Sequence, residues 1–284
     1  MIFKADTATR KNHLGSKPNE DRSYINSGAG LACVADGVSR FSSRPGTYPV
    51  PSLGEFASVQ LIENCRRLAE KAVLSRTNLS ADDLQGAFRT TSDGLREFVL
   101  HNGPFDLYEY DYPGTIGTII ATAGQELRWA HLGDTALILI CDHDARLLTR
   151  DQVAGFRSWL GSNVQHLPTN TPDRIRYLHG SVRNNSGLKH AYGVLTGEPS
   201  ALEFIETSVC SITKGDRLVL VSDGLGPLWD LLGWRPTVPG RVPSQIVKRL
   251  RESTAEALLD MAEDAERHSS LRSDDKTVII VDIG

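Results

Sequence analysis

"DRLVLVSDGL", Asp216 to Leu225, is the stretch from which the fold is read. Leu218–Val221 is aliphatic and β-branched with no polar alternation, the pattern of a strand covered on both faces. It stops abruptly at Ser222-Asp223-Gly224. Asp and Gly are ordinary turn residues, so this triplet alone predicts only a turn. A second run, "LACVADGV" from Leu31 to Val38, ends in the same way at Asp36-Gly37. If the two strands lie side by side, their carboxylates meet. Two close anions repel unless one is protonated or a cation sits between them.

The chain has 284 residues, 40% of them hydrophobic and 23% charged, the balance of a globular protein able to bury a real core. No linker is long enough to divide it, and one domain over residues 1–284 is expected. A formal net charge of -4 with scattered basic residues argues against nucleic acid as a general partner. Cys33, Cys65, Cys141 and Cys210 are far apart and lack CxxC pairing, which argues against a zinc site or a disulfide framework. Cys33, Cys141 and Cys210 fall in or beside apolar strands and read as small core residues. The N-terminus has no apolar h-region, and no stretch has the length of a membrane span. The expectation is a cytoplasmic protein with no membrane partner.

Strands are expected around Tyr24–Ile25 and Leu31–Ala35, then helices over Glu55–Leu74 and Ala81–Leu100, the second N-capped by Ser80. Strands follow at Thr115–Thr122, Glu126–Leu132 and Thr135–Cys141. The segment 149–190 is polar and weakly patterned, a variable excursion over the surface. Strands resume at Leu202–Ser208 and Asp216–Ser222, helices at Ser244–Leu250 and Glu252–Arg267, and "KTVIIVDI" closes the chain. Blocks of strands separated by helix pairs indicate an α+β or layered sandwich and not a doubly wound sheet.

Acids recur at the ends of these strands: Asp36, Asp134, Asp223, the pair Asp274 and Asp275, and Asp21 in "PNEDRSYI". A lone acid in a turn is usually a solvated residue. Together, at strand termini and with only His131 nearby, they suit a hard divalent cation better than zinc. A glycine after Asp36 would let the Gly37 carbonyl approach such an ion closely.

The successive motifs "PNED", "VADGV", "GTIGTII", "AHLGDTALIL", "GDRLVLVSDGL" and "SDDKTVIIV" cover nearly the whole chain. In that order they resemble the metal-dependent serine/threonine protein phosphatases of type 2C, in a divergent, bacterial-like branch. The resemblance implies a four-layer α-β-β-α sandwich, two central antiparallel β-sheets flanked by helix pairs. It implies a binuclear Mn²⁺ or Mg²⁺ centre, in which a metal-bridging hydroxide attacks phosphoserine or phosphothreonine. Asp36 would bridge the ions and the Gly37 carbonyl would bind one of them. Asp223 and Asp274 would bind the other, while Asp21 and Glu20 would act through water. Asp134 matches the acid that supports a third metal in many members. Thr115 would shape its strand, and Asp275 would be the neighbour that is often Asn. The segment 149–190 matches the family's variable flap, where the aromatics and arginines of "GFRSWLGSN" and "TPDRIRYLHG" either read a phosphoprotein surface or pack in a small cluster, and Trp159 reads as packing.

The sequence also departs from that pattern. The position of the phosphate-gripping arginine is Ser16, which leaves Lys17 and His13 as candidates to bind phosphate. Val38 stands where some members place a histidine, and Arg40 lies in a loop that would shape access. The implied partner is a phosphorylated protein, opposing a Ser/Thr kinase. Two other readings remain open at this stage: a catalytically weak regulatory member of the same fold, and a phosphatase of a small phosphorylated metabolite.

Overall fold

Apolar residues on both sides of a strand require a layer on each face, and the chain supplies them. The computed structural model describes residues 3–12, 18–38, 52–102, 112–142, 144–163, 178–268 and 274–284. One sheet has five strands, in the order β2 (Arg22–Asn26), β3 (Leu31–Gly37), β4 (Thr115–Ala123), β5 (Glu126–Leu132) and β8 (Glu206–Ser211). The other has six: β1 (Phe3–Arg10), β11 (Lys276–Ile283), β9 (Arg217–Val221), β6 (Ala136–Cys141), β7 (Asp144–Leu147) and β10 (Gly240–Arg241). Every neighbouring pair is antiparallel.

β9 shows how the sequence builds these layers. Leu218 and Leu220 point between the sheets, packing with Val34, Ile120, Leu137 and Ile279. Val219 and Val221 point the other way, onto α4 (Gly226–Leu231), α5 (Ser244–Glu252) and α6 (Ala255–Arg267), through Leu228, Ile246 and Leu258. On the far side, Cys33 and Ala35 of β3 pack against α1 (Leu53–Ser75) and α2 (Ala81–Asn102), through Leu61, Cys65 and Phe88. The order is helix, sheet, sheet, helix, as expected. Ser80 caps α2 reciprocally: its Oγ accepts from Asp83 N at 3.1 Å, and Asp83 Oδ2 accepts from Ser80 N at 2.8 Å. All four cysteines are free thiols; Cys33 and Cys65 are buried, while Cys141 and Cys210 are only partly so.

Several elements differ from the expectations, β7, β10 and α4 among them, which were not expected. β1 precedes the first expected strand and pairs along its length with β11, from Phe3 opposite Ile283 to Arg10 opposite Lys276. Its sequence, "FKADTATR", is polar because it is an edge strand with one open flank. Arg10 fastens it to α6 through Glu256, Asp260 at 2.7 Å and Glu263 at 2.8 Å. The strand expected at Leu202–Ser208 lies further on, at Glu206–Ser211. Leu202, Phe204 and Ile205 pack instead against the α1–α2 layer, and residues 199–204 form a short 3-10 helix that begins at Pro199. Within the weakly patterned 149–190 segment stands a helix, α3 (Ala154–Asn163).

Candidate metal centre

The acids meet at one end of the sandwich because the strands that carry them end there. Asp36 and Gly37 close β3 opposite Ile116 and Thr115 of β4. The buried Thr115 hydroxyl donates to the Asp36 carbonyl at 2.8 Å, which fixes the backbone beneath the carboxylate. Gly37 is packed so closely that a Cβ there would lie 2.5 Å from the Gly54 carbonyl oxygen. Asp223 follows β9 directly. Ser222 N donates to Thr277 O at 3.0 Å, and Ser222 Oγ accepts from Thr277 N at 2.9 Å, so the residue before Asp223 is locked to β11. A Cβ on Gly224 would come 1.9 Å from the Asp275 carbonyl oxygen. Only glycine permits this approach of the "SDG" turn to the "SDDK" segment.

Asp274 stands just before β11. Buried Lys276 donates to its carbonyl at 2.9 Å and pairs with Glu266 of α6 at 2.9 Å. The Asp275 carboxylate accepts from Asn12 N and Glu20 N, each at 2.8 Å, and so ties "PNED" to the end of β11. That is a structural role. Asp134 lies in the turn between β5 and β6. Gly133 N donates to Gln152 Oε1 at 3.0 Å, and Gln152 N returns a bond to Gly133 O at 3.0 Å.

Asp36, Asp134 and Asp223 each place a carboxylate oxygen within 4.8 Å of the others. Asp274 is exposed and lies outside this trio, but its charge reaches both Asp36 and Asp223. Burial is the main cause that pushes the Asp36 and Asp223 carboxyls well above the ordinary range, and the neighbouring acids add to it. Asp134 is pushed up to about 6, again mainly by burial, with Arg157 opposing. Asp21 is raised to about 8 by burial first, with the Ser222 hydroxyl opposing and the Asp223 and Asp275 charges adding. One Asp21 oxygen, Oδ2, is buried with no hydrogen-bond partner among the described residues. Glu20 is buried beside Gly37, where its carboxylate meets the Ser52 hydroxyl and the Gly54 backbone.

Two cavities of about 260 and 270 Å³ flank the cluster and share Asp134, Arg157, Asp223 and Asp274. Phe156 and Tyr192 form part of one wall, with ring centroids 4.9 Å apart; Trp229 and Pro236 line the other cavity. Trp159 packs within the 149–190 segment, stacked on His190 with ring centroids 4.1 Å apart. His131 is turned away from the acids. It is buried, with Nδ1 against the Thr118 hydroxyl at 2.9 Å and Nε2 against the Arg150 carbonyl at 2.8 Å, and burial lowers its pKa to about 4.

Arg157, one of the arginines of "GFRSWLGSN", belongs to the site, and so does Asp151, which the sequence did not single out. Asp151 Oδ1 accepts from Val153 N and Ala154 N at 2.9 Å, capping α3, and Oδ2 accepts from Arg157 Nη1 at 2.7 Å. Arg157 Nη2 donates to Asp134 Oδ2 at 2.6 Å. The available signal was an Asp shortly before a helix start, a residue type that caps by accepting from N–H groups two and three residues on. His13, Ser16, Lys17 and Arg40, with residues 164–177, lie outside the described residues.

No family profile matches the chain, and no curated protein does. Solved structures do. The Mycobacterium tuberculosis serine/threonine phosphatase PstP/Ppp is 20% identical with a TM-score of 0.65, covering 100% of this chain and 99% of its own. The catalytic domain of PstP has also been solved in complex with two manganese ions. MsPP, a PPM Ser-Thr phosphatase from Mycobacterium smegmatis, is 22% identical with a TM-score of 0.56 over 100% of this chain and 99% of its own. PppA, a regulatory component of the type VI secretion system in Pseudomonas aeruginosa, is 17% identical with a TM-score of 0.63 over 99% and 98%. At these identities the likeness is one of fold: this chain is folded as the PPM serine/threonine phosphatases are.

Proposed function

We propose that this chain is a metal-dependent phosphoprotein phosphatase, a single catalytic domain that hydrolyses phosphoserine and phosphothreonine in proteins phosphorylated by a Ser/Thr kinase. The observation that carries the reading is the convergence of Asp36, Asp134 and Asp223 from separate strand ends, their carboxylates within 4.8 Å of one another. Burial and mutual repulsion leave Asp36 and Asp223 short of compensating charge. The donors are carboxylate and backbone oxygens, which suit Mn²⁺ or Mg²⁺.

In this reading Asp36 and the Gly37 carbonyl would hold one ion, and Asp223 and Asp274, with Asp36, a second, while Asp134 would support a third. Asp21, with its unsatisfied buried oxygen, would accept a hydrogen bond from water in the centre. Glu20 would do the same, although its carboxylate already meets Ser52. Divalent ions in such a site supply an activated water and neutralise charge on the phosphoryl oxygens during in-line attack. The chain's own contribution is to hold the acids rigidly and to present the phosphate between the two cavity walls. No helix among the described residues is long and apolar enough to cross a membrane, and a cytoplasmic site of action is part of the proposal.

The test is turnover of p-nitrophenyl phosphate and of a phosphothreonine peptide with added Mn²⁺. Chelation, Asp36→Asn and Asp223→Asn should each abolish it. An absence of turnover over a wide range of Mn²⁺ concentrations would overturn the assignment.

A further inference from the structure

Arg157 is the only arginine or lysine that lines both cavities among the described residues. Arg235, the other cation in one wall, is engaged by both carboxylate oxygens of Asp230. The two arms of Arg157 do different things. Nη1 is bound to Asp151, and Asp151 is itself fixed by capping the helix that carries Arg157. Nη2 reaches Asp134 Oδ2 at 2.6 Å, in the carboxylate trio. The charges of Asp134, Asp151 and Asp223 hold the guanidinium firmly protonated against the effect of burial. The side chain of Asp134 is 7% exposed and that of Arg157 is 44% exposed, so the guanidinium approaches the buried acid from the solvent side.

We infer that Arg157 is an exchangeable counter-cation: Nη2 neutralises Asp134 while the cluster lacks divalent ions, and is released toward the substrate phosphate when Asp134 is engaged by one. The Asp134 carboxylate cannot offer the same oxygen fully to both cations. Displaced from it, Nη2 stays in the mouth shared by the cavities because Nη1 remains on Asp151. A planar donor held by one edge, beside a cation site, is suited to bind a phosphoryl oxygen. The phosphate half of this inference rests on the phosphatase reading. The competition half does not.

Two measurements separate these halves. Binding of Mn²⁺ alone, followed by the EPR signal of the free ion without substrate, reads the competition. The KM for a phosphothreonine peptide at saturating Mn²⁺ reads the contact with phosphate. Arg157→Met should tighten the weakest Mn²⁺ site and raise KM, each by about tenfold, the factor associated with one charged hydrogen bond. Arg157→Lys keeps the charge but loses the fork, and should fall between the wild type and Arg157→Met in both measurements. A merely structural arginine would not tighten metal binding when removed. Unchanged or weaker Mn²⁺ binding in a folded Arg157→Met protein, verified by circular dichroism, overturns the competition. If metal binding tightens but KM stays put, the phosphate contact is wrong. If the wild type turns over no phosphoester, the phosphatase reading fails, while the EPR titration still decides the competition.

Discussion

Asp21→Asn in the metal-free protein isolates the electrostatic tension of the site. Asp21 is 1% exposed, and its carboxyl is raised from 3.8 to about 8, burial being the largest cause. A group whose folded value is raised contributes stability that is complete below its unfolded value and is lost as pH climbs through the folded one. Between about 4 and 8 the unfolded chain has released this proton and the folded chain retains it. Stability then falls by about 1.4 kcal/mol per pH unit on account of this residue alone. From pH 5.5 to 7.5 that amounts to about 3 kcal/mol. Asparagine has nearly the shape of a protonated aspartic acid and does not titrate, so the variant should lack this component. The assay is urea denaturation of chelator-treated wild type and variant at both pH values, comparing midpoints at a common slope. The wild type should lose about 3 kcal/mol more than the variant over that interval. Equal pH dependence in the two proteins would mean that Asp21 is ionised in the folded state, and the reasoning would be refuted.

Gly224→Ala forces a methyl group to within 1.9 Å of the Asp275 carbonyl oxygen. It should cost about 1–3 kcal/mol or more as overpacking, and should reduce Mn²⁺-dependent turnover by separating Asp223 from Asp274. Thermal denaturation and activity assays check the pair of effects; an unchanged Tm would show that the two segments slide apart freely. Lys276→Met removes the ammonium from beside Glu266 in a pair whose side chains are 0% and 10% exposed. The cost should be about 3–5 kcal/mol, with much of it recovered in Lys276→Met/Glu266→Leu. A double variant no more stable than the single one, in urea denaturation, would contradict that account.

Both the layering and most of the site were legible wherever burial on two faces wrote itself into the chain. "LVLV" of β9 and "LACVA" of β3 could only be covered strands, and the acids after them could only sit at strand ends. The hidden parts follow a different rule. β1 has an open edge, so its sequence alternates polar residues and lacks an apolar run. In the shift of β8, Thr207, Ser208 and Val209 are exposed, and an exposed edge strand carries little hydrophobic signal. The arginine of "GFRSWLGSN" could be read as a residue for a phosphoprotein surface, but not as the partner of Asp134, 23 residues earlier in the chain. Pairings at that separation leave no local period to detect. That Asp134 places an oxygen within 4.8 Å of oxygens of Asp36 and Asp223 is a pairing of the same long-range kind.

The origin of the acids has a mechanical consequence. Asp36 belongs to one sheet, Asp223 and Asp274 to the ends of strands in the other, and Asp134 to the turn that passes between them. An ion shared among these groups would be a rivet through the seam of the sandwich. Neither sheet could peel away without first giving up the ion, so occupancy of the site would slow the opening of the entire interlayer as well as the local loops. The catalytic charge and the resistance of the molecule to coming apart would then be properties of the same few atoms.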